Sequence, residues 1–235
     1  MLWYGTHHKE LDKYTSGFIP WKVYTIGAYS NVWKSRFSYG YVNDFLKQGR
    51  TVMFISLEVD KGLLFQHLCC NMYNKYDREL NDDIIDTLDF QNLTIFDDVY
   101  SIYDIEELVM QEKPDLCVVD FVQNVQVPWT GWYEAMAIVA KKLQEIAIKS
   151  NTIMLDLSQI SNDTAKELSK GNTWFISMKG AWEFMASSDV VMLLSMFDWE
   201  LMVTIAKTKF AHKPEDSLLF KTDFARSNFY FSKIA

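Results

Sequence analysis

Glycine is scarce in this chain. There are 9 in 235 residues, where average usage of about 7% predicts roughly 16. Cysteine is scarcer. Cys69, Cys70 and Cys117 are odd in number, lie in apolar surroundings and show no metal-ligand spacing. They read as buried thiols of a reducing cytoplasm, not as a disulfide framework or a zinc site. No apolar run reaches the length of a membrane span. The first eight residues lack the basic region and long apolar core of a secretory signal. A cytoplasmic protein without a membrane partner is therefore expected. Positive charge is also in deficit, with a net charge of -8 and a pI near 5.0. Proteins that coat nucleic acid with their whole surface are usually basic, so any nucleic-acid contact here must come from local basic loops.

What is present alternates. Short β-branched or apolar runs recur at 22–28, 51–57, 93–96, 116–119, 152–157 and 190–194. Helical patterns lie between them at 35–47, 61–76, 82–88, 102–111, 133–149 and 181–186. The segment 133–149 is the strongest, with Met136, Val139, Ala140, Leu143, Ile146 and Ala147 on one face. Three further runs at 201–206, 217–220 and 228–231 read as antiparallel strands. Strand–helix alternation predicts an α/β fold, a mostly parallel twisted sheet with helices on both faces and antiparallel strands at the C-terminal end. Residues 1–16 read as a lead-in or linker and 17–235 as one domain, without internal repeats or low-complexity tracts.

The chemistry gathers where those strands end. Ala28, Tyr29, Ser30, Asn31, Val32, Trp33, Lys34 and Ser35 follow the first strand and open a helix. Strand, tight loop, Lys-Ser, helix is the layout of a phosphate-binding P-loop. Lys34 would set an ammonium on the β- and γ-phosphates of ATP, and Ser35 would offer an oxygen to Mg²⁺. Backbone N–H groups of residues 30–35 would cradle the phosphates. Asp120 ends an apolar run, as a Walker B carboxylate aimed at the metal or its waters does. Glu58 ends another strand and is the candidate base for the attacking water. Gln159 is the candidate sensor of the γ-phosphate. Plainer readings stand beside these: a helix cap for Lys34-Ser35, a turn-capping carboxylate for Asp120, a surface glutamate and a loop amide.

In order and spacing these segments resemble the RecA-like motor domain of DnaB-type replicative helicases over nearly the whole chain. Leu11 to Pro20 is similar to the entry segment of that family, and Ala28 to Ser35 looks like its P-loop. Ser56-Leu57-Glu58 matches its Ser-Leu-Glu motif, and Val118 to Gln123 its Walker B strand. Leu157-Ser158-Gln159 matches its Leu-Ser-Gln motif, and Ala186 to Val191 resembles the strand after its short helix. Ala206-Lys207-Thr208-Lys209 resembles the Lys-x-Arg segment that reaches into a neighbouring subunit's ATP site. The resemblance implies a RecA-like P-loop NTPase with an ATP-dependent helicase activity on single-stranded DNA in replication. It implies a homo-oligomeric ring, a hexamer in the family, with Glu58 as the catalytic base and Lys207 and Lys209 acting in trans. It also implies that the loop after Asp120 and the loop 160–179 face a channel, with Lys166, Lys170 and Lys179 contacting the DNA backbone without sequence preference. A related recombination or regulatory ATPase, or a non-hydrolysing nucleotide- or DNA-binding relative, are the alternatives. Three features depart from the family pattern. Its N-terminal helical domain has no counterpart in these 235 residues. Lys209 stands where an arginine would make a bidentate fork. Trp33 stands where the P-loop requires glycine.

That last departure belongs to a set. The chain has 8 tryptophans, and with the glycines they make up the expected glycine count. Trp21 follows Pro20 in a turn. Trp129 and Trp132 flank Thr130-Gly131 after Pro128. Trp174 lies in a polar loop, and Trp182 beside a short helix where the family has glycine. Trp199 follows Asp198, where Asp-Gly would turn a hairpin. Trp3 sits in the lead-in. None falls mid-strand or on a clear helix core face. A gene in which UGA encodes glycine accounts for the set. Taken literally, an indole at 33 predicts lost or badly weakened ATP binding, because only glycine lets the backbone approach the phosphates.

Overall fold

The computed structural model describes residues 3–160 and 182–234. Lys166, Lys170, Lys179 and Trp174 lie outside the described residues.

Among the described residues the apolar runs form a nine-stranded sheet. Its strands are β1 (Val23–Ala28), β2 (Val52–Ser56), β3 (Leu93–Phe96), β4 (Leu116–Asp120), β5 (Ile153–Gln159), β6 (Val190–Phe197), β7 (Glu200–Thr208), β8 (Leu218–Asp223) and β9 (Asn228–Ile234). Across the sheet they run β3-β2-β4-β5-β1-β6-β7-β8-β9. The first six are parallel and the last three antiparallel. β1, β2 and β4 are buried along their whole length. Burial on both faces is why these strands read as unbroken apolar runs and not as alternating ones.

Helices cover both faces. On one lie α1 (Lys9–Thr15), α2 (Lys34–Lys47) and α3 (Lys61–Tyr73), with Phe37, Tyr41, Phe45, Leu64 and Leu68 packed on Ile26, Phe54 and Val118. On the other lie α4 (Ile102–Glu112) and α5 (Trp132–Ser150), whose stripes meet Met53, Ile55, Val119 and Met154. A short α6 (Trp182–Ser187) inserts Phe184 on the same side. The lead-in is tied to this body, since Tyr4 bridges Phe18 and Leu11 is buried in the first core. The cysteines are buried and free. Among the described residues no helix is long and apolar enough to cross a membrane.

One expected helix is absent. Residues 82–88 do not form one; single 3-10 turns occupy Asp77–Glu79 and Thr87–Phe90. Asn81 accepts from the Ile84 N–H and Asp86 from the Leu88 N–H. Such side-chain bonds to nearby backbone compete with helical ones. The helix after Lys61 also stops earlier than its pattern, at Asn74 in a left-handed C-cap.

Candidate nucleotide-binding site

The parallel strands deliver their C-terminal ends to one edge. In order along it come β2 with Glu58 just beyond, β4 with Asp120, β5 with Gln159, and β1 with the P-loop. Strand spacing is about 4.8 Å, so β4 and β1 lie roughly 10 Å apart with β5 between them. Ligands in open α/β sheets bind at such carboxyl ends.

A cleft of about 420 Å³ opens there, lined by Ala28 to Arg36 together with Glu58, Phe121 and Gln159. The first N–H groups of α2 have no intrahelical acceptors, and the positive end of the helix dipole faces the cleft. Lys34 reaches across the end of β5. Its Nζ donates to Asp120 Oδ1 at 3.0 Å and lies 4.8 Å from the centre of the Phe121 ring. Asp120 is only 2% exposed, so the lysine covers the carboxylate. Gln159 Nε2 donates to Ser30 Oγ at 2.5 Å, joining β5 to the P-loop. Glu58 is exposed at the rim.

Two groups that sequence reasoning passed over hold this arrangement. Gln123 Oε1 accepts from the Gln159 N–H at 3.1 Å, while its Nε2 donates to Ser158 Oγ and the Gln159 carbonyl. It clasps the very strand end that carries the candidate sensor. Its signal was its place as the last residue of the Walker B-like segment. Arg36 donates to the Phe224 carbonyl and sits 3.3 Å from His67 Nε2. Burial and the Arg36 charge push the His67 pKa below its usual value, so a neutral imidazole lines the cleft near Tyr39.

Trp33 precedes α2 in a left-handed conformation, with φ 59 and ψ 29. Its indole stacks on Phe224, with centroids 4.5 Å apart at 27°, and the Arg36 guanidinium lies 4.8 Å from its ring centre. The loop keeps its turn, with the Val32 N–H donating to the Tyr29 carbonyl and the Phe37 N–H to the Trp33 carbonyl. The indole leans on the turn between β8 and β9 and lines the cleft.

The model of the DnaB-like helicase C-terminal domain family matches residues 4–205. The chain belongs to that family. No curated protein matches it in sequence. Solved structures do match in fold. The ATPase domain of G40P superposes with a TM-score of 0.84 at 17% identity, over 99% of this chain and 92% of that one. A DnaB-like replicative helicase, described with its interactions with primase, gives 0.83 at 16% identity over 97% of this chain. The present chain spans 62% of that protein's length. A KaiC-like protein from the archaeon Pyrococcus horikoshii OT3 gives 0.71 at 13%, over 99% of this chain and 98% of that one. The fold is RecA-like, and the family is that of DnaB-like helicase C-terminal domains.

Within this DnaB-like domain the other two candidate catalytic lysines lie far from the cleft. β7 runs antiparallel to β6, and Thr208 pairs with Val190 at the amino end of the parallel strands. Lys207 Nζ donates to the carbonyls of Met185 and Ala186, and Lys209 Nζ to Asp189 Oδ1 at 3.0 Å. Burial, with Lys209 close by, lowers the Lys207 pKa. Asp189 is bonded to Val23, five residues along β1 from Ala28, which is roughly 16 Å of strand. Neither lysine reaches the cleft of its own chain.

Proposed function

We propose that this domain is an ATP-driven motor that translocates on single-stranded DNA in replication. It works in the cytoplasm as a ring of like subunits, six by the family resemblance, with residues 17–235 as the motor unit and 1–16 as its lead-in. The observation that carries the reading is the single cleft in which the free N–H groups of α2, Lys34, Ser35, Gln159 and Glu58 converge over Asp120. Those groups suit a triphosphate with Mg²⁺. Backbone donors and an ammonium match phosphate oxygens. A hydroxyl and one carboxylate match a small hard cation that otherwise takes water and phosphate oxygens. When bound, Mg²⁺ would supply positive charge that offsets the charge developing on the phosphate oxygens.

The protein's own part begins with an exchange. Lys34 leaves Asp120 for the phosphates, and the carboxylate is uncovered as it goes. Ser35 and Asp120 are then the residues that would hold the metal. Glu58 orients and deprotonates water from the rim. Gln159, bridging Ser30 to the clasp of Gln123, registers whether the γ-phosphate is present and passes that to the loop 160–179, where Lys166, Lys170 and Lys179 would hold DNA. Lys207 and Lys209, unable to serve their own cleft, would serve a neighbour's.

Lys34→Ala, made in the protein with glycine at 33, should lower ATP turnover at least roughly 100-fold, the scale of losing one preorganised donor to developing charge. Unchanged turnover would overturn the site assignment. The Trp33–Phe224 stack favours a second reading, a relative that binds nucleotide or DNA without turnover. Calorimetry with ATP on proteins carrying each residue at 33 separates the two.

A further inference from the structure

We infer that residues 21, 33, 129 and 199 are glycine in this protein as its own cell makes it. Glycine at 33 then leaves the phosphate cradle open. The inference at 33 draws on the ATP reading above; at the other three positions it rests on the backbone alone.

Four of the seven tryptophans described have left-handed φ: Trp21 at 58, Trp33 at 59, Trp129 at 62 and Trp199 at 65. The other non-glycine residues in that region are three Asn, two Ser, an Asp and Lys113. Asn and Asp tolerate it through short polar side chains, and Lys113 and Asn151 close helices as C-caps. A bulky aromatic residue there is a true outlier, because its Cβ is driven against the following carbonyl. Tryptophan is the worst-suited of the types found there and the commonest of them.

Each position is also one where a known turn asks for glycine. Asp198, at φ 46, and Trp199 are the two residues between the paired Phe197 and Glu200. A two-residue hairpin with both φ positive is the type I′ turn, whose preferred pairs include Asp-Gly. Trp21 follows Pro20 and Trp129 follows Pro128. Proline followed by positive φ is the pattern of a type II turn, in which glycine takes the second central place. Trp33 stands directly before Lys34-Ser35 at the start of α2.

The side chains offer no counter-argument at three of the four. Trp129 is 104% exposed and Trp199 87%, and an indole in water contributes no burial. Trp21 is also exposed. Of the four, only Trp33 has a stacking partner among the described residues, Phe224. Four separate substitutions to tryptophan, each at a glycine-demanding backbone, would be four coincidences. One codon, UGA, read as glycine produces all of them.

The test is the mass of peptides from the native protein. Tryptic cleavage isolates residue 21 in the peptide 14–22 and residue 33 in 23–34, and a second protease covers 129 and 199. Glycine at all four is the expected result. Tryptophan in the native peptides at 33 or 199 would overturn the inference, whatever the ATP measurements show. In parallel, recombinant protein with glycine at the four positions should bind ATP at least tenfold more tightly than the tryptophan form. Native peptides with glycine, combined with no ATP binding by the glycine form, would uphold the residue assignment and overturn the nucleotide reading instead.

Discussion

At the scale of single residues the cleft is governed by one buried pair. Lys34 and Asp120 are 86 positions apart in sequence and 3.0 Å apart in space. Both are almost wholly removed from water. A buried ion pair offsets a large desolvation cost only when its geometry is good, and on the proposed ATP reading a triphosphate would separate this one. A second buried carboxylate has no such partner among the described residues. Asp156 on β5 is fully buried, one of its oxygens has no hydrogen bond among the described residues, and burial raises its pKa to about 8. The folded protein therefore keeps the proton at neutral pH while the unfolded chain, titrating near 4, has lost it. Stability should fall as pH rises from about 4 to 8 and level off above. Asp156→Asn should remove that slope and leave the variant more stable at pH 8 by on the order of 5 kcal/mol, roughly four pKa units at about 1.4 kcal/mol each. Urea unfolding across the pH range measures it, and an unchanged slope would show that Asp156 is ionised in the folded state.

At the scale of elements the turns decide more than the strands. β6 and β7 form a hairpin buried along most of its length, and the two residues that close it have positive φ. Restoring the residue that this turn prefers should stabilise the whole element. Trp199→Gly should raise the melting temperature by about 2–4 °C, the shift expected for roughly 1 kcal/mol in a chain of this size. A lower melting temperature would mean that the exposed indole makes contacts of its own. The 3-10 turns that replace the expected helix at 82–88 teach the same lesson, because the side chains of Asn81 and Asp86 bind local N–H groups before a helix can claim them.

For the whole molecule, the sheet divides the motor's parts between two edges. The candidate nucleotide cleft lies at the carboxyl edge, and Lys207 and Lys209 at the amino edge near Asp189. On the proposed reading, in which the two lysines serve a neighbour's cleft, a single chain is an incomplete motor. ATP turnover per chain should therefore rise with protein concentration and then level off. Mixing Glu58→Gln chains with Lys209→Ala chains should restore part of the activity that each lacks alone. Constant turnover per chain on dilution, or no recovery on mixing, would remove the two lysines from catalysis.

Much of this was legible in the residues because it is local. The strand–helix alternation, the Lys-Ser at a helix start, the carboxylates at strand ends and the Asp-Trp turn are written in neighbouring positions, and φ/ψ sterics and periodicity act on neighbours. The left-handed backbone at Trp21, Trp33, Trp129 and Trp199 answers to the same local rule. Strand order was not legible, since no neighbour reports that β5 will lie between β1 and β4. From that order come the Lys34–Asp120 pair, the Gln123 clasp on Gln159, the stack of Trp33 on Phe224 across 191 positions, and the exile of Lys207 and Lys209 to the far edge. Those contacts depend on which apolar surfaces meet in the collapsed chain, and only the folded core selects among them.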